Sequence, residues 1–478
     1  MKSMKQKNKS FYIGIYSTCL SLFAIAIVIG VNLLINSMPS HKTKIDLTSD
    51  SLYSLSEQSK KIVEDIKEDI TIYLLAKSGS EDKTIVEFLS RYSAINSHIK
   101  VEYKDPVLYP NFSSQYTDQT LSNGGNDLIV VCGDRSRFIG NSSIYVSDYS
   151  LNNDTYSYET TYSYEIENQV TSAIDYVTTD NLPKLYRLTG HGEAQLQDTI
   201  TNSITLENIE MQDLNLVSQE EIPSDCSALL LYCPSSDLSS QELELIQSYL
   251  GNGGNLMIVT EYVKEDMKNF QSLLTTYGMS LANGLVLEKD NTMYYQNQTF
   301  LLPNIQSHTI TDSIVSGGYR VLMPYSQGIQ ISDDLRSTLT IQKLLTTSGG
   351  AYAKAAGFEM STYEKEKGDV TGSFTLGAVA TEVIDDKQTQ VIYFPSCYFL
   401  DQTVDQYVSG ANSDLFLNAV SFLCQRENHI SIRSKELTNV PMTVSAATAT
   451  RLEILLIAVL PACVLIYGGI VCIKRRKR

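Results

Sequence analysis

The sequence predicts a membrane-anchored α/β protein, with two folded units held between two terminal membrane spans. Three observations lead there. Apolar stretches of strand length alternate with helix-length amphipathic stretches through much of residues 45–432, the pattern of parallel α/β folds. Residues 11–35 and 454–473 are runs of 25 and 20 residues without a charge. At 1.5 Å per residue, each reaches across a ~30 Å bilayer core. Finally, 43% of the 478 residues are hydrophobic and 19% charged, which is ordinary for a folded chain and excludes global disorder.

Charge sets the expected orientation. Lys2, Lys5, Lys7 and Lys9 precede the first apolar run, and Lys474-Arg-Arg-Lys-Arg478 follows the last. Basic residues outside each run place both tails, 1–10 and 474–478, in the cytoplasm, and residues of about 40–450 on the far side. The first run is too long for a signal-peptide core and has no A-x-A site before Pro39, so it reads as an uncleaved anchor. The net charge is −17 despite these basic ends. Such an acidic body argues against nucleic-acid binding, which requires phosphate neutralisation. Of the eight cysteines, Cys132, Cys226, Cys233, Cys397 and Cys424 fall outside the spans. An odd set without clustered spacing predicts buried structural cysteines, not a disulfide framework.

The first unit, 45–180, opens with Ser54 and Glu57 at capping-box spacing. Leu55, Ile62, Val63 and Ile66 then form a helical stripe. Strand 70–75, helix 85–95 and strand 99–103 make a βαβ unit with a parallel pair. The shape is similar to half of a thioredoxin-like domain, without any C-x-x-C. Residues 127–132 are a strand. Residues 137–139 and 143–146 read as a hairpin around Gly140-Asn141. The Tyr-, Asn-, Ser- and Thr-rich stretch 149–164 reads as a surface loop, or as the start of a helix running on through Ile166, Val170 and Ile174.

The second unit, 181–432, alternates again: strand 185–188, helix near 196–207, strand 209–216, strand 228–233. A helix capped by Ser239 or Ser240 is stopped by Gly251-Asn-Gly-Gly254, and strand 256–260 follows. This is a doubly wound parallel sheet. Residues of about 280–390 break the pattern as a mostly antiparallel insertion. Strand 390–394 and helix 415–423 resume it, and a polar juxtamembrane linker, 433–453, leads to the second span.

The strand 185–188 runs into the turn Thr189-Gly-His-Gly-Glu193, at the carboxyl end of a strand where open α/β sheets bind ligands. Asp213 lies about twenty residues on, as in a dinucleotide fingerprint, but Gln195 stands where the third glycine belongs. His191 and Glu193 have the chemistry of an acid/base pair, yet no nucleophile is tied to them in sequence. Gly190, His191, Gly192 and Glu193 therefore read as a structural or contact turn. Cys233 and Cys397 end parallel-type strands without the glycines of a nucleophile elbow, so packing is expected of them. His41, His98, His191, His308 and His429 are scattered, with no H-E-x-x-H. Asp333-Asp334 and Asp385-Asp386 read as solvated turns. Neither a metal nor a cofactor is expected, and no Walker A motif occurs.

Several of these stretches, in this order, resemble the GldG family, auxiliary proteins of ABC-type exporters first linked to gliding motility. They are Asp46-Leu-Thr-Ser-Asp-Ser-Leu-Tyr-Ser-Leu-Ser56 after the first span, Leu188-Thr-Gly-His-Gly-Glu193, His308-Thr-Ile-Thr311, Thr346-Thr-Ser348 with Tyr352, and Gly410-Ala-Asn-Ser-Asp-Leu-Phe-Leu-Asn418 before the last span. Thr309 replaces a proline of the family pattern and Tyr352 a tryptophan. Pro395-Ser-Cys-Tyr-Phe399 stands where G-D-S-D-F is frequent, so an acidic crevice position is lost. The resemblance implies a thioredoxin-like part, then a part similar to the class I glutamine amidotransferase fold without its catalytic cysteine. It also implies partners, an ABC-2-type permease and its cytoplasmic ATPase. The expected function is that of a non-enzymatic extracytoplasmic accessory subunit, binding or guiding cargo or scaffolding the permease. Two alternatives remain: an ectodomain hydrolase or amidotransferase using His191, Glu193 and Cys233 or Cys397, and a sugar- or peptide-binding sensor with a deep apolar or aromatic pocket, supported by the Tyr-rich stretch 145–164.

Overall fold

The computed structural model describes residues 54–425 apart from 153–156, 181 and 264–266, together with Lys435–Glu436 and parts of 16–33 and 454–473. The start of the opening motif, both basic tails and most of the 433–453 linker lie outside the described residues.

The first unit begins with α1 (Glu57–Glu64), capped not by Ser54 but by Ser56, whose side chain accepts the Ser59 N–H. Strand β1 (Ile70–Leu75) leads to α2 (Lys83–Ile95), where Asp82 takes the Thr84 and Ile85 amides. Then come β2 (Ile99–Lys104), β3 (Asp127–Cys132) and β4 (Arg135–Ile139). The sheet order is β2-β1-β3-β4. β1 pairs in parallel with β2 and antiparallel with β3. The expected hairpin around Gly140-Asn141 does not form. β4 instead returns along β3 from a tight turn at Gly133, where φ is 55°, and residues 141–144 make one helical turn. The 149–164 stretch is neither loop nor helix: β5 (Tyr145–Asn152) and β6 (Ser157–Tyr164) pair antiparallel along their length. Its Tyr and Thr content favours a pleated surface, and the helix starts only at α3 (Ile166–Thr178). Ile70, Ile72 and Leu74 pack with Phe88 and Tyr92 of α2 and with Val170 and Ile174 of α3 as the core.

In the second unit, β7 (Lys184–Leu188), α4 (Asp198–Leu206), β8 (Glu210–Leu214), β9 (Cys226–Tyr232), α5 (Ser240–Gly251), β10 (Asn255–Val259) and α6 (Lys268–Thr276) follow in order. Residues 279–384 supply β11 (Met279–Leu287), β12 (Tyr294–Tyr295), β13 (Asn297–Leu301), β14 (Asn304–Ile305), β15 (Met323–Pro324), β16 (Gln327–Ile331), β17 (Leu339–Thr346), β18 (Tyr352–Lys354), β19 (Val370–Thr371) and β20 (Thr375–Ile384). Then come β21 (Lys387–Phe394) and α7 (Ala411–Leu423). The mixed α/β architecture holds parallel and antiparallel pairings in one sheet of twelve strands, ten of them along the path β19-β18-β11-β16-β20-β21-β10-β9-β7-β8, with β17 paired to β20 and β14 to β17 off that path. Much of the antiparallel section therefore joins the large sheet, since β20 zips along β21 and continues the parallel strands, while β12, β13 and β15 form a three-stranded sheet of their own.

The central strands read as unbroken apolar runs because both faces are covered. Leu230, Met257 and Ile392 face Ile204 of α4 and Phe416 and Val420 of α7. Leu229, Leu231 and Ile258 face Ile246 of α5 and Phe270 of α6. Asn208, 3% exposed and held at φ 56°, pins the two units together. Its Nδ2 donates to the Ser172 carbonyl at 2.9 Å and to Asp175 Oδ2 at 2.7 Å, and its Oδ1 accepts from Arg137.

Lys435–Glu436 (β22) adds to β6, with Lys435 opposite Tyr164. The Ser56 backbone N–H donates to the Glu167 carboxylate, as does Ser59 Oγ. The described residues of the two terminal apolar runs are helical, and their large side chains are open, Phe23 by 66% and Ile457 by 74%. Among the described residues, no helix is long and apolar enough to cross a membrane.

Candidate functional site

The turn after β7 sits beside the segment that follows β9, at the place where strand order reverses from β8 to β9. Gly190 has φ 124° and Gly192 φ 70°, conformations that glycine takes without cost. A Cβ on Gly192 would stand 2.2 Å from Ser235 Oγ. The two glycines thus fold Thr189–Glu193 back on itself and against residues 233–236.

The crevice of this switch point is filled by the chain's own groups. Glu193 Oε2 accepts the Gly190 and His191 amides at 3.0 and 2.9 Å. These are the backbone donors that would cradle a phosphate in a dinucleotide site, and an internal carboxylate occupies them. The His191 carbonyl accepts both the amides and the hydroxyls of Ser235 and Ser236, at 2.9–3.1 Å. Asp213, the position of a ribose acid, is held by Arg187 through two bonds of 2.8 and 3.0 Å. The partial fingerprint is thus a turn that satisfies itself.

His191 is 5% exposed, so it offers no open surface, and Gly190 and Gly192 are the exposed members of the turn. The ring bridges two acids: Nδ1 lies 2.9 Å from Glu193 Oε1, and Nε2 lies 3.1 Å from Glu242 Oε2. Glu242 Oε2 also accepts the Ser239 amide, while Ser239 Oγ accepts the Glu242 amide, completing a capping box on α5. Burial pulls the imidazole pKa down, but the hydrogen bonds and charges of Glu242 and Glu193 outweigh it, and the net shift is upward. Burial likewise raises Glu242, and its bonds to Ser239 and His191 bring it below the ordinary glutamate value. The His191 ring is thus a rivet between the turn and the start of α5. Glu242 escaped the sequence reading; the Ser239-x-x-Glu242 spacing was the available signal.

Cys233 and Cys397 are joined to each other, with Cα atoms 6.0 Å apart, over the end of β10. This corrects the expectation of separate buried thiols. Cys233 does stand at a bend with φ 52°, but its sulfur is covalently committed. The remaining described cysteines, Cys132, Cys226 and Cys424, are in no disulfide. Among the described residues, no cluster of three or more His, Cys, Asp or Glu is placed to hold a metal ion. An open depression of about 500 Å³ lies between α6 and β16, lined by Thr275, Ser280, Gln330, Asp333 and Arg336, polar groups rather than aromatic ones.

Residues 182–418, which hold the turn, the disulfide and the whole large sheet, match the family model described as an ABC-type uncharacterized transport system. Over these residues the chain is similar to that family. Residues 49–131 match a domain of unknown function, DUF7088. No curated protein matches the chain in sequence. Solved structures to which it is similar include the N-terminal domain of mmIFT52, at 14% identity over 52% of this chain and 99% of that one, TM-score 0.37. PurLQS from Thermotoga maritima matches at 10% over 51% and 100%, TM-score 0.24. A GMP synthase component from Thermoplasma acidophilum matches at 10% over 52% and 96%, TM-score 0.26.

Within the transport-system segment, the remaining motifs act as clamps. In His308-Thr-Ile-Thr311, His308 Nδ1 accepts the Ile310 amide, and Thr311 Oγ1 donates to the Gln306 and His308 carbonyls. Ser348 gives both its hydroxyl and its amide to buried Glu288, at 2.7 and 3.1 Å. Tyr352, in the tryptophan position, is 1% exposed and donates to Gln298 and to the Tyr363 carbonyl. On α7, Asn412 binds Leu322 N and O and Phe399 O, and Asn418 binds Ile310 O.

Proposed function

We propose that this chain is a two-span, membrane-anchored, non-enzymatic subunit of an ABC-2-type exporter of the GldG kind, with residues of about 40–450 outside the cytoplasm. In this reading the first unit is thioredoxin-like and the second amidotransferase-like. The family of residues 182–418 supports a role in ABC-type transport. The observation that carries the topology is the meeting of the body's two ends. The incoming chain is tied at Ser56 to Glu167, and the outgoing chain pairs at Lys435 with Tyr164. Those anchor points are three residues apart, at most ~11 Å, so the two ends of the body lie close together, which supports anchoring of both in one membrane. Exposed apolar helical residues on either side fit lipid better than water. The Cys233–Cys397 bond fits an oxidising compartment. A committed disulfide and a self-filled crevice favour a scaffold or cargo guide over the hydrolase alternative.

The test is affinity purification of the full chain in mild detergent. A co-purifying permease and ATPase are expected. Purification of the chain alone, with neither component encoded beside it, would overturn the proposal.

A further inference from the structure

A second feature lies at the same end of the sheet, beyond the filled switch point, where β10 and β21 run out. Four aromatic rings form a continuous strip there. Tyr262 meets Phe358 at 5.7 Å between centroids, Phe358 meets Tyr325 at 5.7 Å, and Tyr325 meets Tyr398 at 5.2 Å. Phe358 is 49% exposed and Tyr398 37%, so the strip presents aromatic surface to solvent. Tyr325 sits at φ 51°, a strained conformation for a tyrosine and one that gathers at functional positions. Its amide is held by the Thr299 carbonyl at 2.9 Å. Beside the strip, exposed Glu261 accepts the Tyr398 hydroxyl on Oε1 at 2.8 Å, and its Oε2 has no protein partner among the described residues.

We propose that this strip is a binding site for the guanidinium group of an arginine-bearing peptide segment. The side chains select that chemistry. Aromatic faces attract a cation, and a flat guanidinium stacks on them better than a rounded ammonium does. Its N–H fork matches a carboxylate with one oxygen still open, and the Tyr398 hydroxyl holds that carboxylate in place. The chain's net charge of −17 favours a cationic partner. A neutral apolar segment would use the rings and leave Glu261 without a role. The site goes beyond the transport reading and stands independently: loss of co-purification would leave it intact, and loss of peptide binding would leave the transport reading intact.

The test is calorimetric titration of the full chain in detergent with a blocked Gly-Arg-Gly-Arg-Gly peptide, its citrulline counterpart and its lysine counterpart. The arginine peptide should bind, the citrulline peptide should not, and lysine should bind more weakly. Glu261→Gln should weaken arginine binding about tenfold through the lost charged pair, and Phe358→Ala about fivefold. Both side chains are exposed, and thermal melting checks that each variant folds; Glu261→Gln decides the matter if Phe358→Ala does not. No binding of the arginine peptide, equal binding of citrulline or lysine, or an unchanged affinity for Glu261→Gln would each overturn the proposal.

Discussion

His191 brings two carboxylates onto one imidazole, and the consequences are those of a buried charge set. Removing the ring leaves Glu193 and Glu242 facing each other without a cation, so His191→Ala should cost about 3–5 kcal/mol in chemical denaturation. The pH dependence has a definite sign. The folded-state pKa lies above the ordinary histidine value, so the stabilisation is complete below about pH 6.5 and fades as pH rises through the folded value. Melting temperature should fall across that upper window in the native chain, and His191→Gln should flatten this fall; parallel profiles would refute the rivet. The turn itself was legible, because glycines at 190 and 192 announce a bend after an apolar strand. The ring's second acid was not legible. Glu242 lies 51 positions on, and local spacing marks it as a helix cap without revealing whom else it serves.

Among the elements, α7 does more than cover one face of the sheet. Asn412 reaches back 90 positions to hold the backbone of Leu322 on both its N–H and its C=O, and Asn418 reaches Ile310. The last helix therefore fastens the antiparallel section from behind. Asn412→Ala strands buried backbone groups and should cost about 1–3 kcal/mol by equilibrium denaturation, far more than a surface asparagine would. The parallel strands could be read in order because unbroken apolar runs such as Ala228–Tyr232 have few other homes. The hairpin after residue 145 could not. Its Tyr-, Ser- and Thr-rich residues carry neither a clean alternation nor a helical stripe, and its pairing with Lys435–Glu436 comes from the far end of the chain. The mistaken hairpin at Gly140-Asn141 shows the same limit: Gly133 offers an equal turn, and the partner strand decides between them.

At the scale of the whole molecule, a disulfide and the large sheet hold distant parts together. Cys233 and Cys397 are 164 residues apart and enclose the antiparallel section. Non-reducing peptide mapping should recover the two segments linked. The paired Cys233→Ser, Cys397→Ser variant should lose about 2–5 kcal/mol in denaturation, and an unchanged stability would make the bond incidental. The cysteine count hides the bond, since the odd number outside the terminal apolar runs conceals one pair among three cysteines that carry no disulfide. The two strand ends that carry the bond were correctly placed in sequence, but only the sheet order shows that a single strand separates them. The antiparallel section was recognised by its change of rhythm, whereas its fusion to the parallel sheet was invisible, because strand edges leave no mark on composition.

The position of β21 carries a consequence for how the protein is made. It is the last strand of the large sheet to be synthesised, yet it lies between β10 and β20, near the middle. Until residue 394 has left the ribosome, β10 and β20 each present an open edge of unpaired backbone to whatever is nearby. Arrested nascent chains ending shortly before Lys387 should therefore be protease-sensitive and aggregation-prone, and those extended past Phe394 should become resistant in one step. The large sheet is thus built around its own last strand, and it closes only when that strand arrives, however early its other strands emerge.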